Sequence, residues 1–141
     1  NSTCKEHAEN IQAEFRNRDI PVAVINELLQ GDLVKFYGVH GTDFFYWFYP
    51  SPCSHSKFGL EKINGIAKGI PFSVEELKIQ SDKAAEALHV PIYGGDCVVS
   101  ADGTLRIIDF NDWPSFARCR EEAGGKIAEC IYNRAKKQMK Q

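Results

Sequence analysis

Asp102-Gly103 stands between two apolar runs, Ile92–Ser100 and Thr104–Phe110. An Asp-Gly pair supplies the left-handed backbone of a tight hairpin turn, so the runs read as two antiparallel strands. With Asp102 and Gly103 as the central turn residues, Ala101 pairs with Thr104 and Val98 faces Ile107. The same count sets Asp96 opposite Asp109. Opposed side chains have Cβ atoms about 4.5–5.5 Å apart. Asn111, two residues beyond Asp109, points to the same face while the strand stays extended. Three oxygen-bearing side chains thus converge at one end of an otherwise apolar hairpin. Two opposed carboxylates destabilise a bare sheet, and a hard cation turns that cost into binding. Asp96, Asp109 and Asn111 are therefore the candidate metal ligands, and magnesium is the ion that suits them, with manganese as a substitute.

The rest of the chain supplies a frame for this hairpin. Thr3-Cys4-Lys5-Glu6 fits a capping box, and Ala8, Ile11 and Phe15 follow at helical spacing, which predicts a first helix to about Arg18. Val22–Ile25 and Leu33–Val39 read as strands separated by Gly31-Asp32. Phe44–Tyr49 is an unbroken aromatic run, expected as a core strand covered on both faces; it lacks the interleaved cations of a base-stacking platform. Residues from Pro50 to Phe72 form a long loop. Ser73-Val74-Glu75-Glu76 caps a second helix over Val74–His89, stopped by Pro91. A last helix runs from about Ser115 toward Lys137, with a kink expected at Gly124-Gly125. The expected fold class is α+β, a mainly antiparallel sheet with packed helices, in a single domain over 1–141.

Composition narrows the function. The net charge is −2, with no dense basic stripe, so nucleic acid is not an expected partner. No run of ~18 apolar residues occurs, so no membrane span is expected. The chain starts Asn1-Ser2-Thr3 with neither an initiator Met nor a signal pattern, and reads as a piece of a longer protein. Five cysteines, Cys4, Cys53, Cys97, Cys119 and Cys130, form no C-x-x-C pair, which argues against a zinc site and a disulfide framework. Free thiols imply a reducing, cytoplasmic location. Cys53-Ser54-His55 sets a thiol beside an imidazole in sequence, but such neighbours seldom face each other and no third group follows.

Tyr93-Gly94-Gly95-Asp96-Cys97-Val98-Val99, Asp102-Gly103 and Ile107-Ile108-Asp109-Phe110-Asn111-Asp112-Trp113-Pro114 together resemble the C-terminal hairpin of ATP-grasp enzymes. In that family an acidic residue on the first strand and an acidic-x-Asn unit on the second hold magnesium on ATP phosphates. Asp96, Asp109 and Asn111 match position by position. Asp-x-Asn followed by Pro is most similar to the inositol-phosphate-kinase branch. Val24–Lys35 resembles the family's hinge and the strand after it. The resemblance implies that Asn26, Glu27 and Leu28 hold adenine and that Lys35 approaches the nucleotide or the acceptor.

It implies ATP as co-substrate and phosphoryl transfer to a carboxylate (ligase) or hydroxyl (kinase), on an unknown small-molecule or peptide acceptor. The family's N-terminal domain, phosphate-binding lysines and glycine-rich loop have no counterpart before Val22. The chain alone is therefore expected to be inactive, to bind ATP weakly and to self-associate. Two rivals are a kinase-like small-molecule phosphotransferase and a non-catalytic nucleotide-binding or interaction module. The first needs an Asn about five residues after its catalytic Asp, where this chain has Ala101.

Overall fold

The computed structural model describes residues 5–50 and 66–139. In chain order these form α1 (Lys5–Asn17), β1 (Asp32–Val39), β2 (Phe45–Phe48), α2 (Val74–Leu88), β3 (Ile92–Val99), β4 (Leu105–Asp112) and α3 (Arg120–Gln138). The strands make one antiparallel sheet in the order β2-β1-β3-β4. This is the α+β class expected. Cys4, Cys53 and the middle of the Pro50–Phe72 loop lie outside the described residues.

Alternation along the strands divides the sheet into two faces. Val34, Phe36, Tyr93, Cys97 and Val99 point to one face, against Leu77 and Ala85 of α2. Phe36 and Tyr93 are wholly buried there and pack edge-on, with ring centroids 6.3 Å apart. Each such side chain contributes about 2–3 kcal/mol through burial. On the opposite face Val39, Phe44 and Ile92 pack against Ala123 and Cys130 of α3. The helix α3 reaches only that end of its face. Lys35 and Asp96, farther along, are half-buried, and Asp109 and Asn111 are exposed.

Local chemistry explains the boundaries. The Ser73 hydroxyl accepts from the Glu76 amide, capping α2 as the sequence predicts. The helix ends because His89 adopts a left-handed backbone (φ 58°), while the His89 and Val90 amides donate back to Glu86 and Ala85. This closes a Schellman motif before Pro91. Asp32, buried at the start of β1, accepts the backbone N–H groups of Lys68 and Ile70, each at 2.8 Å, and so pins the chain as it returns toward α2. Tyr93 donates to Asp82 of α2, which also pairs with Lys78. Burial, then the Asp82 charge, push the Tyr93 phenol far above its ordinary pKa.

The structure corrects several expectations. Val22–Ile25 is not a strand: Val24 and Ile25 are 81% and 85% exposed, and among the described residues no strand lies beside them to complete a ladder. The β-branched run alone does not make a strand where no neighbour covers it. Helix α1 likewise buries no residue. The aromatic run yields a four-residue strand that is half-buried throughout, because β2 is the edge of the sheet that the described residues form. Helix α3 begins at Arg120 rather than Ser115, and its Gly124-Gly125 pair lies within the helix.

Candidate metal and phosphate site

The hairpin is built differently from the two-residue turn, yet arrives at the same pairing. Ser100 accepts from Gly103 and donates to Thr104, closing a three-residue loop of Ala101, Asp102 and Gly103. Gly103 takes the left-handed position (φ 79°), and the Asp102 carboxylate accepts the Thr104 amide. That loop moves the register by one, so Cys97 rather than Val98 pairs with Ile107. A β-bulge at Ile108 then inserts one extra residue in β4 and restores Asp96 opposite Asp109. The bulge reconciles the spacing of β4 with its faces. Leu105, Ile107 and Phe110 all pack on the α2 side, while Asp109 and Asn111 stay on the other.

One cross-sheet row results. Phe48 on β2 pairs with Lys35 on β1, Lys35 with Asp96 on β3, and Asp96 with Asp109 on β4. The Lys35 ammonium lies 3.1 Å from both oxygens of the Asp96 carboxylate. Asn111 donates from Nδ2 to Asp109 Oδ2 at 2.5 Å. The adjacent row is Tyr46, Tyr37, Gly94 and Asn111. A Cβ on Gly94 would fall 2.8 Å from both Pro114 Cγ and a Tyr37 ring carbon. Glycine there lets the chain after β4 lie directly on the sheet beside the charged row.

The donor set suits a hard cation: two carboxylates and an amide whose half-rotation exchanges nitrogen for oxygen. Among the described residues no cluster of three or more His, Cys, Asp or Glu side chains is placed to hold an ion; here the third donor is an amide. That Asp96 already holds an ammonium marks the row as a place that favours positive charge. Asn26, Glu27 and Leu28 lie in the exposed, irregular segment ahead of β1, outside this row. The Cys97 thiol is buried, and burial pushes it up to about 11, so it is no nucleophile at neutral pH.

Two features lie beyond local sequence signals. The resemblance assigns Lys35 to the nucleotide, but its pairing with Asp96 depends on β1 lying next to β3, which hairpin counting does not address. Its signal is that it is the one charged residue inside the run Leu33–Val39. The second is Arg118, whose guanidinium carbon sits 4.4 Å from the centroid of the Phe48 ring. No local pattern announces that contact.

Comparison with protein-family models, with curated proteins and with solved structures found no match.

Proposed function

We propose that this chain is the C-terminal part of an ATP-grasp domain, and that its β3–β4 hairpin holds magnesium against the phosphates of ATP. The observation that carries the reading is the Asp96–Asp109 pair opposed across the hairpin, with Asn111 next on the same face and Lys35 on Asp96. A magnesium ion held by Asp96, Asp109 and Asn111 would neutralise phosphate charge and orient the transferred phosphoryl group. Lys35 supplies the adjoining positive charge: its ammonium moves between the Asp96 carboxylate and a phosphate oxygen. Asn26, Glu27 and Leu28, which belong to no strand, offer backbone groups to adenine. The acceptor is a carboxylate or hydroxyl on a small molecule or peptide. Cys97, Cys119 and Cys130 are free thiols, which favours a reducing, cytoplasmic setting. Among the described residues no helix is long and apolar enough to cross a membrane.

The test is calorimetric titration with ATP in excess magnesium. The reading expects saturable binding that needs the metal and is lost in the Asp109→Asn/Asn111→Ala double variant. Equal binding in that variant removes the hairpin from nucleotide recognition.

A further inference from the structure

The connection from β4 to α3 crosses the whole charged face. The Trp113 amide donates to Ile92 of β3 at 2.9 Å, and Pro114 lies over Gly94 of β3. Phe116 is buried with its ring 5.2 Å from Tyr37 of β1, and the Arg118 guanidinium carbon lies over the Phe48 ring of β2. Each step moves one strand across, so the connection forms a wall beside the row Phe48–Lys35–Asp96–Asp109.

This path carries strain. Trp113 (φ 46°) and Phe116 (φ 49°) both take the left-handed backbone, although neither is glycine. Such residues are strained and persist where their surroundings enforce them. Trp113 also precedes a proline, which narrows its allowed backbone further. The burial of Phe116 and the seating of Pro114 on Gly94 hold the path in place. Its result is that Arg118 stands over β2, at the far end of the row from the carboxylate pair.

Strands lie about 4.8 Å apart. Phe48 is therefore one strand from Lys35 and about 14 Å from Asp109 along the sheet. The row is ordered by charge: cations toward β2 and β1, carboxylates on β3 and β4. Among the described residues Arg118 has no ion-pair or hydrogen-bond partner; its contact is the Phe48 ring. The ring contact uses none of the guanidinium N–H groups as conventional donors, so they remain for a ligand. A guanidinium can hold an oxyanion with two parallel hydrogen bonds.

We infer that Arg118 recognises an oxyanion, carboxylate or phosphate, on the phosphoryl acceptor, which makes the acceptor an anionic compound. This rests on the ATP-grasp reading: the carboxylate pair and Lys35 attend to the nucleotide, and Arg118, one strand farther, attends to the molecule that meets it. Phe48 is a positioning residue that holds the guanidinium at this end of the row.

The experiment uses the 141-residue chain with ¹⁵N-labelled arginine, read through the side-chain Nε–H signals. Arg118→Lys assigns the Arg118 signal by its loss. Acetate and inorganic phosphate are titrated separately against chloride at matched ionic strength. The Arg118 signal is expected to shift saturably with at least one of them, while Arg16, Arg18, Arg106, Arg120 and Arg134 move no more than in chloride. Saturation by acetate assigns a carboxylate acceptor, and saturation by phosphate a phosphorylated one. Phe48→Leu is expected to weaken the anion at least about fivefold, on the order of the cation–π contribution. An Arg118 signal that moves no more than the other arginines with both anions overturns the inference. Magnesium–ATP binding by calorimetry is read separately. Its absence with the Arg118 shift intact overturns the nucleotide reading of the carboxylate pair and leaves the anion site standing.

Discussion

Replacing Lys35 by Gln is expected to change metal and nucleotide affinity in opposite directions. In the folded chain the ammonium occupies Asp96, 3.1 Å from each oxygen, and a divalent ion entering between Asp96 and Asp109 must displace it. The side chains are 27% and 24% exposed, so solvent screens the pair. A pair in that setting is worth about 1 kcal/mol, far below the unscreened Coulomb figure. Repulsion between the displaced ammonium and the incoming dication adds a similar amount. Lys35→Gln therefore gains about 1–2 kcal/mol for the ion alone, which is roughly 5- to 30-fold tighter binding. Nucleotide affinity in saturating metal falls, because the charge that would meet the phosphates is gone. The assay is calorimetry with manganese alone, then with ATP in excess manganese, on both proteins. A variant that binds manganese no more tightly than the parent chain refutes the idea that Lys35 holds the ion's place.

Three further outcomes concern the frame. Burial raises the Asp32 pKa, but the amides of Lys68, Ile70 and Gly69 more than offset it, and the net value is lowered. A lowered folded pKa stabilises above the unfolded value of about 3.9 and loses that stability as pH falls through the folded one. Asp32→Asn should cost about 1.5–3 kcal/mol in thermal melts at neutral pH, with the gap closing below about pH 4; a gap independent of pH contradicts this. Ser81→Ala should raise the melting temperature by removing a fully buried hydroxyl that has no hydrogen-bond partner among the described residues, worth about 1 kcal/mol or more; a lower midpoint argues that the hydroxyl is satisfied. The exposed segment carrying Val22, Val24, Ile25 and Leu28 should drive self-association, visible as a concentration-dependent mass in light scattering and reduced by Val24→Glu/Ile25→Glu. A monomer at every concentration contradicts it.

The hairpin was legible in the sequence because its signals are local. Asp-Gly marks a turn, and alternation marks faces. The Asp96–Asp109 pairing followed from that count even though the loop and the bulge each depart from it, because one extra residue in the turn is matched by one in β4. The boundaries of α2 were likewise set by Ser73 and by the stop before Pro91. What escaped depends on contacts between distant segments. Val22–Ile25 has strand composition, but among the described residues no strand lies beside it. The half-burial of Phe45–Phe48 depends on β2 being an edge. The seat of Arg118 on Phe48 joins positions 70 residues apart in number, and neither residue's neighbours hint at the other.

The most direct measurement is paramagnetic broadening by manganese in the ¹⁵N-labelled chain. At substoichiometric ion, the amide signals of Asp96, Asp109 and Asn111 are expected to broaden first, ATP to sharpen the selectivity, and Asp109→Asn/Asn111→Ala to abolish the effect. Broadening centred elsewhere, for example around Glu76 and Asp102, where α2 meets the hairpin loop, would contradict the assignment of the metal to the β3–β4 pair.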